Sequence, residues 1–202
     1  MILDFTQLRA IMPKARKTRL EEFLVYFNEY SGFAGLTNLY RLASFLSQIA
    51  HETKELIYME EIASGKAYEG RKDLGNIKIG DGQRFKGRGP IQLTGRKNYR
   101  LFTLWIQKNM KAIWGDDIPK ELPNFEQHPY LVSTMEWGLL AAIFYWTENK
   151  LNEASDKITI NKDGIYNVEK PTRLINGGIN GLKERTEYFT KSLTVLKDAQ
   201  AA

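Results

Sequence analysis

The chain has no cysteine, so its fold uses neither disulfides nor a thiolate metal site; this is compatible with a reducing compartment without requiring one. It has only two histidines, His51 and His128, which leaves little material for an imidazole metal centre. Long apolar runs are missing too, since no stretch approaches the roughly 18 uninterrupted apolar residues of a membrane span. The segment Met1-Ile2-Leu3-Asp4-Phe5-Thr6-Gln7 lacks a basic start and an apolar centre, so neither a secretory signal nor a membrane helix is expected. Low-complexity segments and internal repeats are absent as well.

What is present is a folded, basic protein. Its 202 residues are 43% hydrophobic and 12% aromatic, enough for a sizeable core in one domain spanning 1–202, with room for two lobes within it. A net charge of +5 and a pI of about 9.2 favour a polyanionic partner: nucleic acid, an anionic membrane or an anionic cell-wall polymer. The densest basic run, Lys14-Ala15-Arg16-Lys17-Thr18-Arg19, comes with no nucleic-acid motif and reads as a solvated helix start, so no nucleic-acid partner is expected.

Apolar spacing predicts short helices over 4–12 and 18–30, parted by Pro13, and a longer buried helix from Leu36 to Ala50 with His51 and Glu52 at its C-terminal end. From Ile62 to Leu93, repeated glycines point to an ordered loop region with short strands at most. Helical patterns return at 98–109 and 131–150, and a last helix is expected from Gly181 to about Ala199. Between them, 152–170 carries the turn signal Asp163-Gly164 and reads as a surface excursion or small hairpin. The fold class is mainly α.

Several chemistries fall away on motif grounds. His51-Glu52-Thr53-Lys54-Glu55 opens like a zincin helix but has Glu55 in place of the second histidine. The glycine-rich run 80–89 is not followed by Gly-Lys-Ser/Thr, and no serine sits in a Gly-x-Ser-x-Gly elbow. Carboxylate chemistry remains. Glu52 leaves an apolar helix stripe, and Glu61 follows nine residues later, beyond the helix end, where the chain can fold back. An inverting glycosidase uses such a pair at roughly 6.5–9.5 Å, leaving room for a water. On spacing alone, these remain two among 24 acidic residues, most of which will be solvated or ion-paired.

Further motifs carry a resemblance. Ala50-His51-Glu52-Thr53, Tyr68-Glu69-Gly70-Arg71, Asp73-Leu74-Gly75-Asn76, Gly80-Asp81-Gly82 and the run from Phe85 to Arg96 with Asn98-Tyr99 stand in order. They are followed by Pro129-Tyr130-Leu131-Val132 and by Ile175-Asn176-Gly177-Gly178-Ile179-Asn180-Gly181-Leu182 with Arg185. In this order they resemble glycoside hydrolase family 19, whose members include chitinases and many bacteriophage endolysins, over a core of about 36–189.

The resemblance implies a lysozyme-like, two-lobed helical fold with a groove for a β-1,4-linked amino sugar polymer, and no cofactor or metal. Glu52 matches the family's general acid, Glu61 its general base, and Thr94 the hydroxyl that helps hold the attacking water. Gln92, Asn98 and Asn176 match polar residues that serve the substrate, and Arg185 matches the family arginine. Plant chitinases carry a carboxylate at the position of Asn180 to couple that arginine to the acid, so the relay here is simpler or different. Glu60 and Glu69 compete with Glu61 for the role of base, and His51 reads as structural. Tyr68, Phe85 and Tyr99 are candidates for stacking on sugar faces or for the core.

Cationic character and the missing export signal favour the endolysin branch: a monomeric enzyme held in the host cytoplasm until release, then cutting peptidoglycan in the periplasm. A small chitinase is the runner-up. A non-catalytic glycan- or membrane-binding protein is the alternative of another class, in which the stripe Leu182, Tyr188, Phe189, Leu193 and Leu196 of the last helix would contact anionic membranes, although such a stripe more often packs into the core.

Overall fold

A computed structural model describes residues 2–201, and the chain falls into two compact units: Met1–Ile57 with Tyr145–Ala202, and Tyr58–Phe144. No composition shift marks either crossing point. The fold is mainly helical, and among the described residues β structure is confined to isolated bridges.

The first unit is built on α1 (Phe5–Ile11), α2 (Lys17–Tyr30), α3 (Leu39–Glu52), α7 (Leu151–Ser155), α8 (Glu169–Asn176) and α9 (Leu182–Ala201). A capping box starts α1: Asp4 accepts from the Gln7 amide at 2.8 Å, and Gln7 accepts from the Asp4 amide at 2.9 Å. In α3, Asn38 caps the Arg41 amide, so the helix begins three residues later than the apolar spacing suggests. Every residue from Leu42 to Ala50 is buried, as expected of a helix enclosed on all sides. Phe27, Phe45 and Trp146 form an aromatic ladder on it, with centroid spacings of 6.1 and 5.0 Å.

The other broad face of α3 packs along α9. Phe189, Leu193 and Leu196 are buried there, while Leu182 and Tyr188 are half-buried. The apolar stripe is therefore turned into the core, the commoner of its two sequence readings, and not toward a membrane. The basic run before α2 is met by acids one turn on, Lys17 with Glu21 at 3.6 Å and Arg19 with Glu22 at 3.3 Å.

The expected hairpin survives as one antiparallel bridge, Ile160 to Tyr166, closed by Asn161 and Asn167 backbone bonds. Helices α7 and α8 flank it; the sequence reading had α7 almost wholly in that excursion and gave no element to most of α8. Pro171 hid α8, yet it stands in the first turn, where a helix has amides without partners and a missing N–H costs nothing.

The second unit holds the glycine-rich region, with 3-10 turns at Lys66–Tyr68 and Lys72–Leu74, the single turn α4 (Asp81–Arg84) and α5 (Arg96–Trp114). Helix α5 is longer at both ends than the spacing predicts. Helix α6 (Met135–Glu148) begins in this unit and ends in the first. Phe102 stacks on Phe125 at 4.4 Å, and Phe85 meets Tyr99 at 5.4 Å, giving the unit its own core.

Directly after Glu52 the backbone makes an unannounced turn. Lys54, Glu55 and Leu56 all have left-handed φ, at 48°, 62° and 61°, a conformation that costs a side-chain-bearing residue about 1–2 kcal/mol. Thr53 offsets this cost: its hydroxyl donates to the Ile49 carbonyl and accepts from the Leu56 amide, both at 2.7 Å. Glu55 is buried and anchors the turn, accepting from the Lys14 amide at 2.5 Å and the Tyr188 hydroxyl at 2.8 Å. Thr53→Val keeps the shape and deletes both hydroxyl bonds, so it should cost about 1–3 kcal/mol in urea unfolding. An unchanged midpoint would show that the turn holds without Thr53.

Candidate active site

In the first unit, Gln48, His51 and Glu52 share one side of the last turn of α3, by the helical spacing of three and four residues. Arg185, from the first turn of α9 and only 1% exposed, donates to both the Gln48 side-chain oxygen and Glu52 Oε1. Its Nε reaches the Asn180 carbonyl at 3.3 Å. The Glu52 side chain is 19% exposed, and among the described residues its Oε2 has no protein partner. One oxygen is thus fixed and the other left available for proton transfer. Tyr145 stands close enough that burial, and then the Glu52 charge, raise its pKa, while its hydroxyl donates to the Leu174 carbonyl at 2.8 Å.

His51 is set beside this carboxylate. Its Nδ1 bonds Glu184 Oε2 at 2.7 Å, and its ring lies flush on Gly181. A Cβ at Gly181 would fall 2.1 Å from His51 Cε1, and the φ of 69° also favours glycine there. Burial, followed by the Arg185 charge, lowers the His51 pKa against the opposing pull of Glu184 and Glu52. The neutral ring then donates from Nδ1 to Glu184, a tautomer assigned from the hydrogen-bond network. Asn176, at the end of α8, is half-buried and donates to the Asn180 carbonyl at 3.4 Å. Asn180 contributes its backbone to Arg185, so the arginine meets Glu52 without a carboxylate between them.

In the second unit Glu61 is half-buried, with Oε1 accepting from the Tyr68 hydroxyl and Oε2 from the Gly87 amide, each at 3.1 Å. Burial first, and the Glu61 charge second, raise the Tyr68 pKa, so the phenol stays protonated and remains the donor. A Cβ at Gly87 would sit 2.8 Å from Gln92 Oε1 and 3.3 Å from both Glu61 Oε2 and Thr94 Oγ1. Carboxylate, amide and hydroxyl therefore converge on a position only glycine leaves open. Thr94 donates to the Gln92 carbonyl at 2.8 Å, and Asn98 to the Thr94 carbonyl at 2.7 Å.

The competing glutamates are occupied elsewhere. Glu60 pairs with Lys86 and Arg88, both at 3.1 Å. Glu69 is clamped by the amides of Gly80 and Gly82 at 2.7 and 2.8 Å. Phe85 and Tyr99 are fully buried and belong to the core, leaving Tyr68 as the half-buried aromatic beside Glu61. Among the described residues, no group of three or more His, Cys, Asp or Glu side chains is arranged to hold a metal.

No protein-family model matches the chain. A Haemophilus influenzae protein named as containing a glycosyl hydrolase family 19 domain is 28% identical over 187 residues, covering 77% of this chain and 80% of that one. Maize endochitinase A is 36% identical over 83 residues, 38% of this chain and 29% of its own. Among solved structures, a chitinase C variant superposes with a TM-score of 0.65 at 18% identity, covering 96% of this chain and 92% of that one. A maize class IV chitinase of family 19 gives 0.63 at 18%, with 94% and 90% covered. The chain is similar in sequence and in fold to proteins of glycoside hydrolase family 19.

Sequence reasoning missed Gln48, Tyr145 and Glu184. Gln48 had a signal, as a polar residue within an apolar buried stripe, four residues before Glu52. Glu184 had none beyond its place next to Arg185.

Because the folded His51 pKa lies below the usual 6.5, the unfolded chain binds this proton more readily between the two values. Stability should rise with pH through that window and decline as pH falls from the unfolded toward the folded value. His51→Asn removes the linkage. The wild type should therefore lose more melting temperature than the variant between about pH 7.5 and about pH 5. Parallel pH profiles would show that His51 does not couple to folding.

Proposed function

We propose that this glycoside hydrolase cuts the β-1,4 bonds of peptidoglycan glycan strands by inverting acid/base catalysis, as a bacteriolytic endolysin. Glu52 Oε2 gives its proton to the departing glycosidic oxygen as the bond to the anomeric carbon breaks. Glu61 takes a proton from the attacking water, which Thr94 helps to hold, and the water oxygen bonds to the opposite face of that carbon. Arg185 and Gln48 keep the acid oriented, while Tyr68 and the Gly87 amide do so for the base. Gln92, Asn98 and Asn176 offer amides that can both donate to and accept from hydroxyl and N-acetyl groups.

The observation that favours peptidoglycan is the net charge of +5, which suits a polymer bearing carboxylates better than neutral chitin. In this reading the protein waits in the host cytoplasm and reaches the periplasmic wall on release. A chitinase is the second reading, favoured by the chitinases among the similar solved structures and by the plant endochitinases that match part of the chain.

Turbidity loss of purified murein sacculi and cleavage of chitin oligomers, measured side by side, separate the two. Murein should be cut faster, and both Glu52→Gln and Glu61→Gln should lower the rate by about 10²–10⁴. Full lysis by Glu52→Gln would remove the assigned acid. Faster cleavage of chitin would move the substrate to the second reading.

A further inference from the structure

We propose that the solvent side of α5 is a docking surface for an anionic phospholipid bilayer. The helix carries Arg96, Lys97, Arg100, Lys108 and Lys111 and no acidic residue along its whole length. At the helical step of about 100° per residue, Lys97, Arg100, Leu101, Leu104, Lys108 and Lys111 fall within one arc of about 100°. All six are exposed, including Leu101 at 38% and Leu104 at 53%. The opposite side, with Tyr99, Phe102 and Ile106, is buried in the core of the second unit.

Charge complementarity defines the occupant. Arg96 is consumed by Asp81 and Glu126, and Lys111 by Asp116. Lys97, Arg100 and Lys108 have no ion-pair partner among the described residues. A hydrated polyanion would satisfy these cations and leave the two leucines in water. A bilayer with acidic headgroups takes both, with cations at the phosphates and leucines at the acyl boundary. Helix α9 provides the contrast: its outward Lys183, Lys191 and Lys197 are interleaved with Glu184, Glu187 and Asp198, and its large apolar residues are largely buried. Membrane contact therefore belongs to α5 and not to the C-terminal helix. No helix among the described residues is long and apolar enough to cross a membrane, so the contact is peripheral.

Co-sedimentation of the full chain with vesicles tests this, using phosphatidylcholine alone and phosphatidylcholine with about 30% phosphatidylglycerol. The wild type should pellet with the anionic vesicles and not with the neutral ones. Neutralising a cation near the surface weakens partitioning about fivefold, so Lys97→Ala/Arg100→Ala/Lys108→Ala should lose about a hundredfold. Leu101→Ser/Leu104→Ser should lose about tenfold or more. The α9 control, Lys183→Ala/Lys191→Ala/Lys197→Ala, should stay within about twofold of the wild type. Circular dichroism confirms that each variant is folded. Absent or charge-independent vesicle binding by the wild type would overturn the proposal, as would wild-type binding by the triple α5 variant or an equal loss in the control. Undiminished binding by the leucine variant would overturn the part given to the leucines at the acyl boundary, and with it the argument for a bilayer over a soluble polyanion. The vesicles carry no glycan, so the outcome stands apart from the peptidoglycan reading.

Discussion

A buried guanidinium must find its counter-charge and acceptors within reach, or the fold bears a desolvation cost of several kcal/mol. Arg185 meets that condition at one place, the C-terminal end of α3, where Gln48 and Glu52 receive its donors and the helix dipole favours a cation. Several other features follow from this one contact. It fixes α9 against α3, brings the chain around Asn180 and Gly181 close to the helix end, and seats the His51 ring on a glycine that no larger residue could replace. The same contact holds one carboxylate oxygen of Glu52 and leaves the other free.

The second unit solves a different problem with similar economy. Three glutamates lie close together in sequence, and the structure gives each a different task. Glu60 neutralises two cations, Glu69 staples two glycine amides, and Glu61 sits beside a phenol, a hydroxyl and an amide around Gly87. The glycines are therefore not merely flexible links. Gly87 keeps clear the space on which polar groups converge, while the glycine amides around Glu69 give the loop region order without strands.

Much of this was legible from residue order. The apolar periodicity located α1, α2, α3, α5, α6 and α9, because each buries one face or more against a core. It failed at α8, where a first-turn proline looks like a helix breaker, and at Lys54, Glu55 and Leu56, whose left-handed turn has no glycine to announce it. It left the apolar stripe of α9 open between core packing and membrane contact, since periodicity identifies a buried face but not what buries it. Glu52, Glu61, Thr94 and Arg185 were singled out as candidates through ordered motifs. Gln48, Tyr145 and Glu184 were not, because their part depends on contacts between distant segments: α3 with α9, and the end of α6 with the end of α8.

The central idea is that Glu52 and Glu61 act as acid and base on a bond attacked by water, with no covalent sugar on the protein. The configuration of the newly formed reducing end reads this out. Proton NMR of a soluble oligosaccharide digest, recorded before mutarotation, should show the α anomer first, the inverted product of a β bond. A β anomer appearing first would mean retention through a covalent intermediate, and would contradict the roles given to both glutamates.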